Sequence, residues 1–120
     1  MGNLKGALEH FKKALELEPK DLQTYNNLGA AYVELGEFNE AIELFSQALK
    51  VDSQDSQIYQ NLGVVRFKAG DKQGAIADYN QAIKLNPNKP EAYYNRGIAY
   101  RFLGHNQDAM NDFTKVLQLH

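Results

Sequence analysis

Tyr25, Tyr59 and Tyr93 stand 34 residues apart. Gly29, Gly63 and Gly97 keep that spacing, as do Gly36, Gly70 and Gly104, and Ala41, Ala75 and Ala109. Phe45, Tyr79 and Phe113 share one phase, which Ala7 and Phe11 carry back toward the N-terminus. A fixed period of this length means one supersecondary unit copied along the chain. No single unit buries its apolar face alone, so each copy needs a neighbour. A fold built around one irregular core is excluded at the outset.

Within each period the apolar residues recur at three- and four-residue steps, the signature of a helix with one buried face. Leu4, Ala7, Leu8, Phe11, Ala14, Leu15 and Leu17 define a helix over 4–18, with Asn3 as its cap and Pro19 as its stop. The same reasoning gives helices over 22–35, 38–51, 56–69, 72–85, 90–103 and 106–119. Gly36, Gly70 and Gly104 end three of them. Asp52 and Ser53 end 38–51, Asp71 caps 72–85, Asn86-Pro87-Asn88 is a break, and Pro90 suits a first helical turn. Short connections turn successive helices antiparallel. No alternating β-branched run suggests a strand. Gly29 and Ala41, with their analogues, mark where two helices of a pair approach closely. Phe45, Tyr79 and Phe113 are expected to fill the space between one pair and the next.

Several function classes fall away. A net charge of −2 leaves no basic footprint for nucleic acid. The absence of cysteine removes disulfides, thiolate nucleophiles and cysteine zinc sites, and fits a reducing compartment. No apolar run approaches the ~18–20 residues of a membrane span. The first residues lack a secretory apolar segment and do not fit the myristoylation pattern. A cytoplasmic location is therefore expected. His10, His105 and His120 share no metal-ligand spacing and fall on a polar face, a turn and the terminus. The carboxylates are spread along helix faces, with no pair set in apolar surroundings for acid–base work. The glycines end helices or serve helix contacts, so there is no phosphate loop. No enzyme activity, catalytic residue, metal or cofactor is expected.

Tyr25-x-x-Leu28-Gly29-x-x-Tyr32, followed by Ala41, Phe45 and Ala48, resembles the tetratricopeptide repeat. Departures are Arg66 where Tyr is usual, Arg96 where Leu is usual, Val116 at a small position, and Ser53 where Pro19 and Pro87 keep the proline. The resemblance implies an all-α, right-handed superhelical solenoid of antiparallel helix pairs, seven helices in all. Residues 1–21 form a half repeat with the second helix only. Residues 22–55, 56–89 and 90–120 form repeats, the last without a polar capping helix. The plain reading of such ends is a fragment cut from a longer array. The sharper one is that copies stack or exchange helices through Leu4, Leu8 and Leu15 at one end and Met110, Phe113, Val116 and Leu117 at the other.

In this family the first helices of successive repeats line an inner, concave surface. Asn27, Asn61 and Asn95 sit one period apart on those helices. A primary amide both donates and accepts, which matches the C=O and N–H of an extended peptide. Each such bond contributes ~0.5–1.5 kcal/mol net. The row resembles the asparagine ladder in the repeat domain of the sugar transferase that modifies Ser and Thr with N-acetylglucosamine. One such Asn is a polar residue on a solvated face; three in register ask for partners. Gln23, Asn26, Ala30, Val33 and Glu34 should flank the row in the first repeat. Gln57, Gln60, Val64, Phe67 and Lys68 follow, then Glu91, Tyr94, Ile98, Arg101 and Phe102, with Phe67 and Phe102 read first as packing between repeats. The carboxylate clamp of other family members does not carry over: its cationic positions hold Glu91 and Asn95 in the last repeat, Asn26 and Ala30 in the first. The expected function is a protein–protein interaction module that holds a peptide. The alternatives are a scaffold that homo-oligomerises through its terminal helices and a targeting fragment of a larger enzyme.

Overall fold

A computed structural model describes residues 2–119; His120 lies outside the described residues. Seven helices account for nearly all of them: α1 Gly2–Leu17, α2 Leu22–Glu34, α3 Phe38–Val51, α4 Ser56–Lys68, α5 Lys72–Leu85, α6 Pro90–Phe102 and α7 Asn106–Gln118. No strand occurs among the described residues. The chain divides into two compact units, Met1–Ser53 with α1–α3 and Gln54–His120 with α4–α7.

The helix ends follow from side chains and from three glycines. Asp21 Oδ1 accepts from Gln23 N at 3.1 Å, and its Oδ2 accepts from Thr24 Oγ1 at 3.0 Å. Asp55 Oδ1 accepts from the backbone of Gln57 at 2.9 Å and of Ile58 at 3.3 Å. Asp71 Oδ1 accepts from Gly74 N at 2.8 Å. Each cap satisfies a backbone donor that the first helical turn leaves open, worth about 1 kcal/mol. Asn3 is not a cap: α1 begins at Gly2, so Asn3 lies inside the helix.

Gly36, Gly70 and Gly104 take φ of +77°, +98° and +81°. This left-handed geometry lets two amides turn back on the helix: Gly36 N–H donates to Val33 O and Glu37 N–H to Tyr32 O, at 3.0 and 2.8 Å. The same two-bond stop recurs at Gly70–Asp71 and Gly104–His105. A side chain at those positions would strain the backbone.

The first unit buries Tyr25, Leu28, Ala31, Ala41, Leu44, Phe45 and Ala48. In α1 the expected stripe stops short of its last member, since Leu17 is 80% exposed. The second unit buries Ile58, Leu62, Val65, Ala75, Ile76, Tyr79, Ala82, Tyr93, Ala99 and Ala109 among others. The recurring aromatics do not act only as filler between pairs. A Cβ at Gly29 would overlap the Phe45 ring, and one at Gly63 the Tyr79 ring; at Gly97 it would stand 2.7 Å from Phe113 Cε1. Each ring therefore lies on the glycine of its own pair, which lets the two backbones approach. Tyr25 Oη donates to Pro19 O at 3.1 Å and Tyr93 Oη to Pro87 O at 3.0 Å, fastening each first helix to the loop before it.

The departures at Arg66 and Arg96 prove to be paired. Arg96 Nε donates to Asp112 Oδ2 at 2.8 Å and Nη2 to Oδ1 at 2.6 Å, a two-pronged bond between α6 and α7. Its Nη1 donates to Asn80 Oδ1 on α5 at 2.8 Å. Tyr93 and Tyr100 offer ring faces within 5.6 and 5.8 Å of the guanidinium. Asp112 is 3% exposed, and the hydrogen bond to it pushes the Arg96 pKa further up. Arg66 Nε stands 2.8 Å from Asp78 Oδ2. Neither atom has an aligned hydrogen bond among the described residues, so this contact is electrostatic. Burial raises the Asp78 carboxyl to about 6 despite the opposing pull of Arg66. This is a single carboxylate beside an arginine, not a pair of carboxylates set for acid–base work. Burial, then the Asp78 charge, also pushes the Tyr79 phenol up.

Candidate functional site

In the second unit, α4 and α6 touch, and each presents a three-and-four-spaced row on one face. On α4 the row is Gln57, Gln60, Asn61, Val64, Phe67 and Lys68; on α6 it is Glu91, Tyr94, Asn95, Ile98, Arg101 and Phe102. Two cavities open along it. One, of about 320 Å³, is lined by Gln60, Pro90, Glu91, Tyr94, Asn95 and Val116. The other, of about 160 Å³, is lined by Val64, Phe67, Lys68, Tyr79, Asn95 and Ile98. Asn95 borders both.

The three asparagines share a register but not their bonding. Gln23 Nε2 donates to Asn27 Oδ1 at 3.2 Å, and Gln57 Nε2 donates to Asn61 Oδ1 at 3.0 Å. Lys89 Nζ in turn donates to Gln57 Oε1 at 2.8 Å. One period on, the brace position holds Glu91, whose carboxylate cannot donate. The Asn95 amide makes no hydrogen bond among the described residues. The one-turn Gln–Asn bonds are worth only ~0.2–0.5 kcal/mol. A peptide bond at ~0.5–1.5 kcal/mol is enough to exchange with them.

Of the residues read from sequence as peptide-facing, Gln60, Val64, Tyr94, Asn95 and Ile98 come together around these two cavities. Gln60 is only 9% exposed, so it forms cavity wall more than open surface. Asn61 and Gln57 lie beside it on α4, and Arg101 is exposed on α6. Gln23, Asn26 and Asn27 lie on α2 in the first unit, where they line neither of its two described grooves. Three lining residues were missed: Pro90 and Val116 at the first cavity and Tyr79 at the second. Lys72 Nζ stands 5.4 Å from the Phe67 ring centroid and 5.7 Å from that of Phe102. It belongs to α5, outside the row on α4 and α6. Phe67 and Phe102 do pack edge to face at 5.4 Å, yet Phe102 stays 66% exposed.

No group of three His, Asp or Glu among the described residues could hold a metal ion. His10 is exposed beside Phe11, and His105 stacks on Tyr100 at 5.9 Å. No helix among the described residues is long and apolar enough to cross a membrane.

Residues 1–62 match the tetratricopeptide repeat profile, 90–120 match a second tetratricopeptide repeat profile, and 65–104 match a TPR repeat profile. The chain belongs to the tetratricopeptide-repeat family. No curated protein sequence matches it. Among solved structures, a crystal structure of MamA is 31% identical, with a TM-score of 0.87 over 98% of this chain and 69% of that one. A second crystal structure of MamA is 31% identical with a TM-score of 0.85, over 98% of this chain and 64% of that one. MamA 41-end from Desulfovibrio magneticus RS-1 is 21% identical, with a TM-score of 0.87 over 98% and 67%, and speaks for the fold alone. This chain thus spans about two thirds of the length of these neighbours. Tetratricopeptide arrays present binding surfaces to other proteins, so protein–protein interaction is the class of function the family assigns.

Proposed function

We propose that the chain is a cytoplasmic module that binds an extended peptide of a partner protein across the first helices of its repeats. Residues 22–55, 56–89 and 90–120 are taken as those repeats. The observation that carries the reading is Asn95, a part-buried amide with no hydrogen bond among the described residues, bordering two cavities on the face shared by α4 and α6. Its amide holds the peptide backbone while the cavities take flanking side chains. Asn61, on the same face, joins by releasing its glutamine brace. Main-chain bonds supply grip and the cavities supply selectivity.

The test is a pull-down with the full chain, identification of the captured protein by mass spectrometry, and titration of its binding segment. Asn27→Ala, Asn61→Ala and Asn95→Ala together should weaken binding about tenfold or more, most of it from Asn95→Ala. Equal affinity of wild type and triple variant ends the reading.

A second reading, assembly of identical chains, has its own observation: Met110 and Leu117 on α7 are 60% and 77% exposed. Light scattering over a concentration series decides it, and a mass that stays at one chain throughout rules it out.

A further inference from the structure

The α4–α6 face is unevenly charged. Toward the start of the helices, Glu91 is opposed by Lys89, whose ammonium is spent on Gln57. Toward their ends stand Lys68, Lys72 and Arg101. None of these three has an ion-pair partner among the described residues. Lys68 lines the smaller cavity with Val64, Phe67 and Ile98. Lys72 rests on the Phe67–Phe102 ring pair that walls the same end. Arg101 lies one turn beyond Ile98 on α6. A cation in the last turn of a helix also complements the helix dipole, but the fold does not demand one here. At the equivalent places in α2 the chain has Val33 and Glu34.

An apolar recess beside three cations that have no ion-pair partner among the described residues has a defined complement. We propose that this face selects an extended peptide with an aliphatic side chain next to one or more carboxylates. The aliphatic group enters between Val64 and Ile98, in a cavity of about 160 Å³; cavities on the scale of ~150 Å³ admit a benzene-sized group. The carboxylates meet Lys68, Lys72 and Arg101. Asn95 holds the intervening backbone, so this inference rests on the peptide-binding reading and adds the chemistry of the ligand to it.

The experiment pans a displayed library of random octapeptides on the full chain, then titrates fluorescein-labelled copies of the enriched peptides. Enrichment of an aliphatic residue beside Asp or Glu is the expected result. Those peptides should bind about tenfold more weakly to the Lys68→Glu, Arg101→Glu double variant, and more weakly as salt rises. Both positions are exposed, so the variant keeps its fold, which circular dichroism checks. Neutral or basic enriched peptides that still depend on Asn95 overturn the charge selection and leave the peptide-binding reading standing. No enrichment, or peptides indifferent to both Asn95→Ala and Val64→Asp, overturns the two together.

Discussion

In the α2–α3 pair, Leu28 and Leu44 are buried where the α6–α7 pair buries Arg96 against Asp112. The α4–α5 pair stands between them, with Leu62 at the first position and the Arg66–Asp78 contact beside it. The backbone devices are the same in all three: a glycine stop with positive φ and an aromatic ring laid on a glycine. These devices set the helix pair, while hydrocarbon or an ion pair can fill it. A buried pair recovers its desolvation cost only with good geometry. The two-pronged Arg96–Asp112 bond, extended to Asn80, has that geometry; at Arg66–Asp78 burial outweighs the pull of Arg66 and leaves the Asp78 carboxyl raised.

The largest expected effect strikes what the pairs share. Phe45→Ala should cost about 3–5 kcal/mol, since the ring is fully buried and its loss leaves a cavity over Gly29. Urea unfolding measures it, and an unchanged midpoint would mean the ring on glycine is not the common device. Next comes what they do not share. Asp112→Ala strands the Arg96 charge and should cost about 3 kcal/mol, at the low end for a broken buried pair because Arg96 keeps some solvent access. Arg96→Leu with Asp112→Leu, which rewrites the pair as α2–α3 has it, should come back to within about 1 kcal/mol of wild type or exceed it. A double variant as weak as Asp112→Ala would show that the fillers are not interchangeable.

Gly63→Ala should cost about 1–3 kcal/mol, because the new methyl meets the Tyr79 ring. The smallest effect is a pH slope confined to α4–α5. The folded chain protonates Asp78 near pH 6 and the unfolded chain near 3.8, so the folded state holds the extra proton between them. This group's contribution to stability therefore grows as pH falls from about 7, and it is complete below the unfolded value. Between pH 7 and pH 5 the gain should be about 1 kcal/mol. Asp78→Asn should remove that part of the slope, and parallel pH profiles for the two proteins would contradict it.

The period made the helices legible to within about two residues, because glycine stops and apolar spacing are local signals. The caps at Asp21 and Asp55 are equally local signals, masked in sequence by the stronger proline and glycine cues. Arg66 and Arg96 could be seen as departures but not as partners of Asp78 and Asp112. Their pairing depends on which faces of two helices meet. The same holds for the candidate site. The asparagine register could be read directly, whereas the loss of the brace at Glu91 needed the Gln23–Asn27 and Gln57–Asn61 bonds to be seen first. Lys72 reaches the site from a second helix, which no pattern on the first helices announces.

The most direct measurement is a ¹H–¹⁵N NMR titration of the full chain with an enriched octapeptide. The Asn95 side-chain amide and the backbone amides of Val64 and Ile98 should shift together and saturate with the binding curve. Shifts confined to α7 around Met110 and Leu117, with Asn95 unmoved, would contradict it.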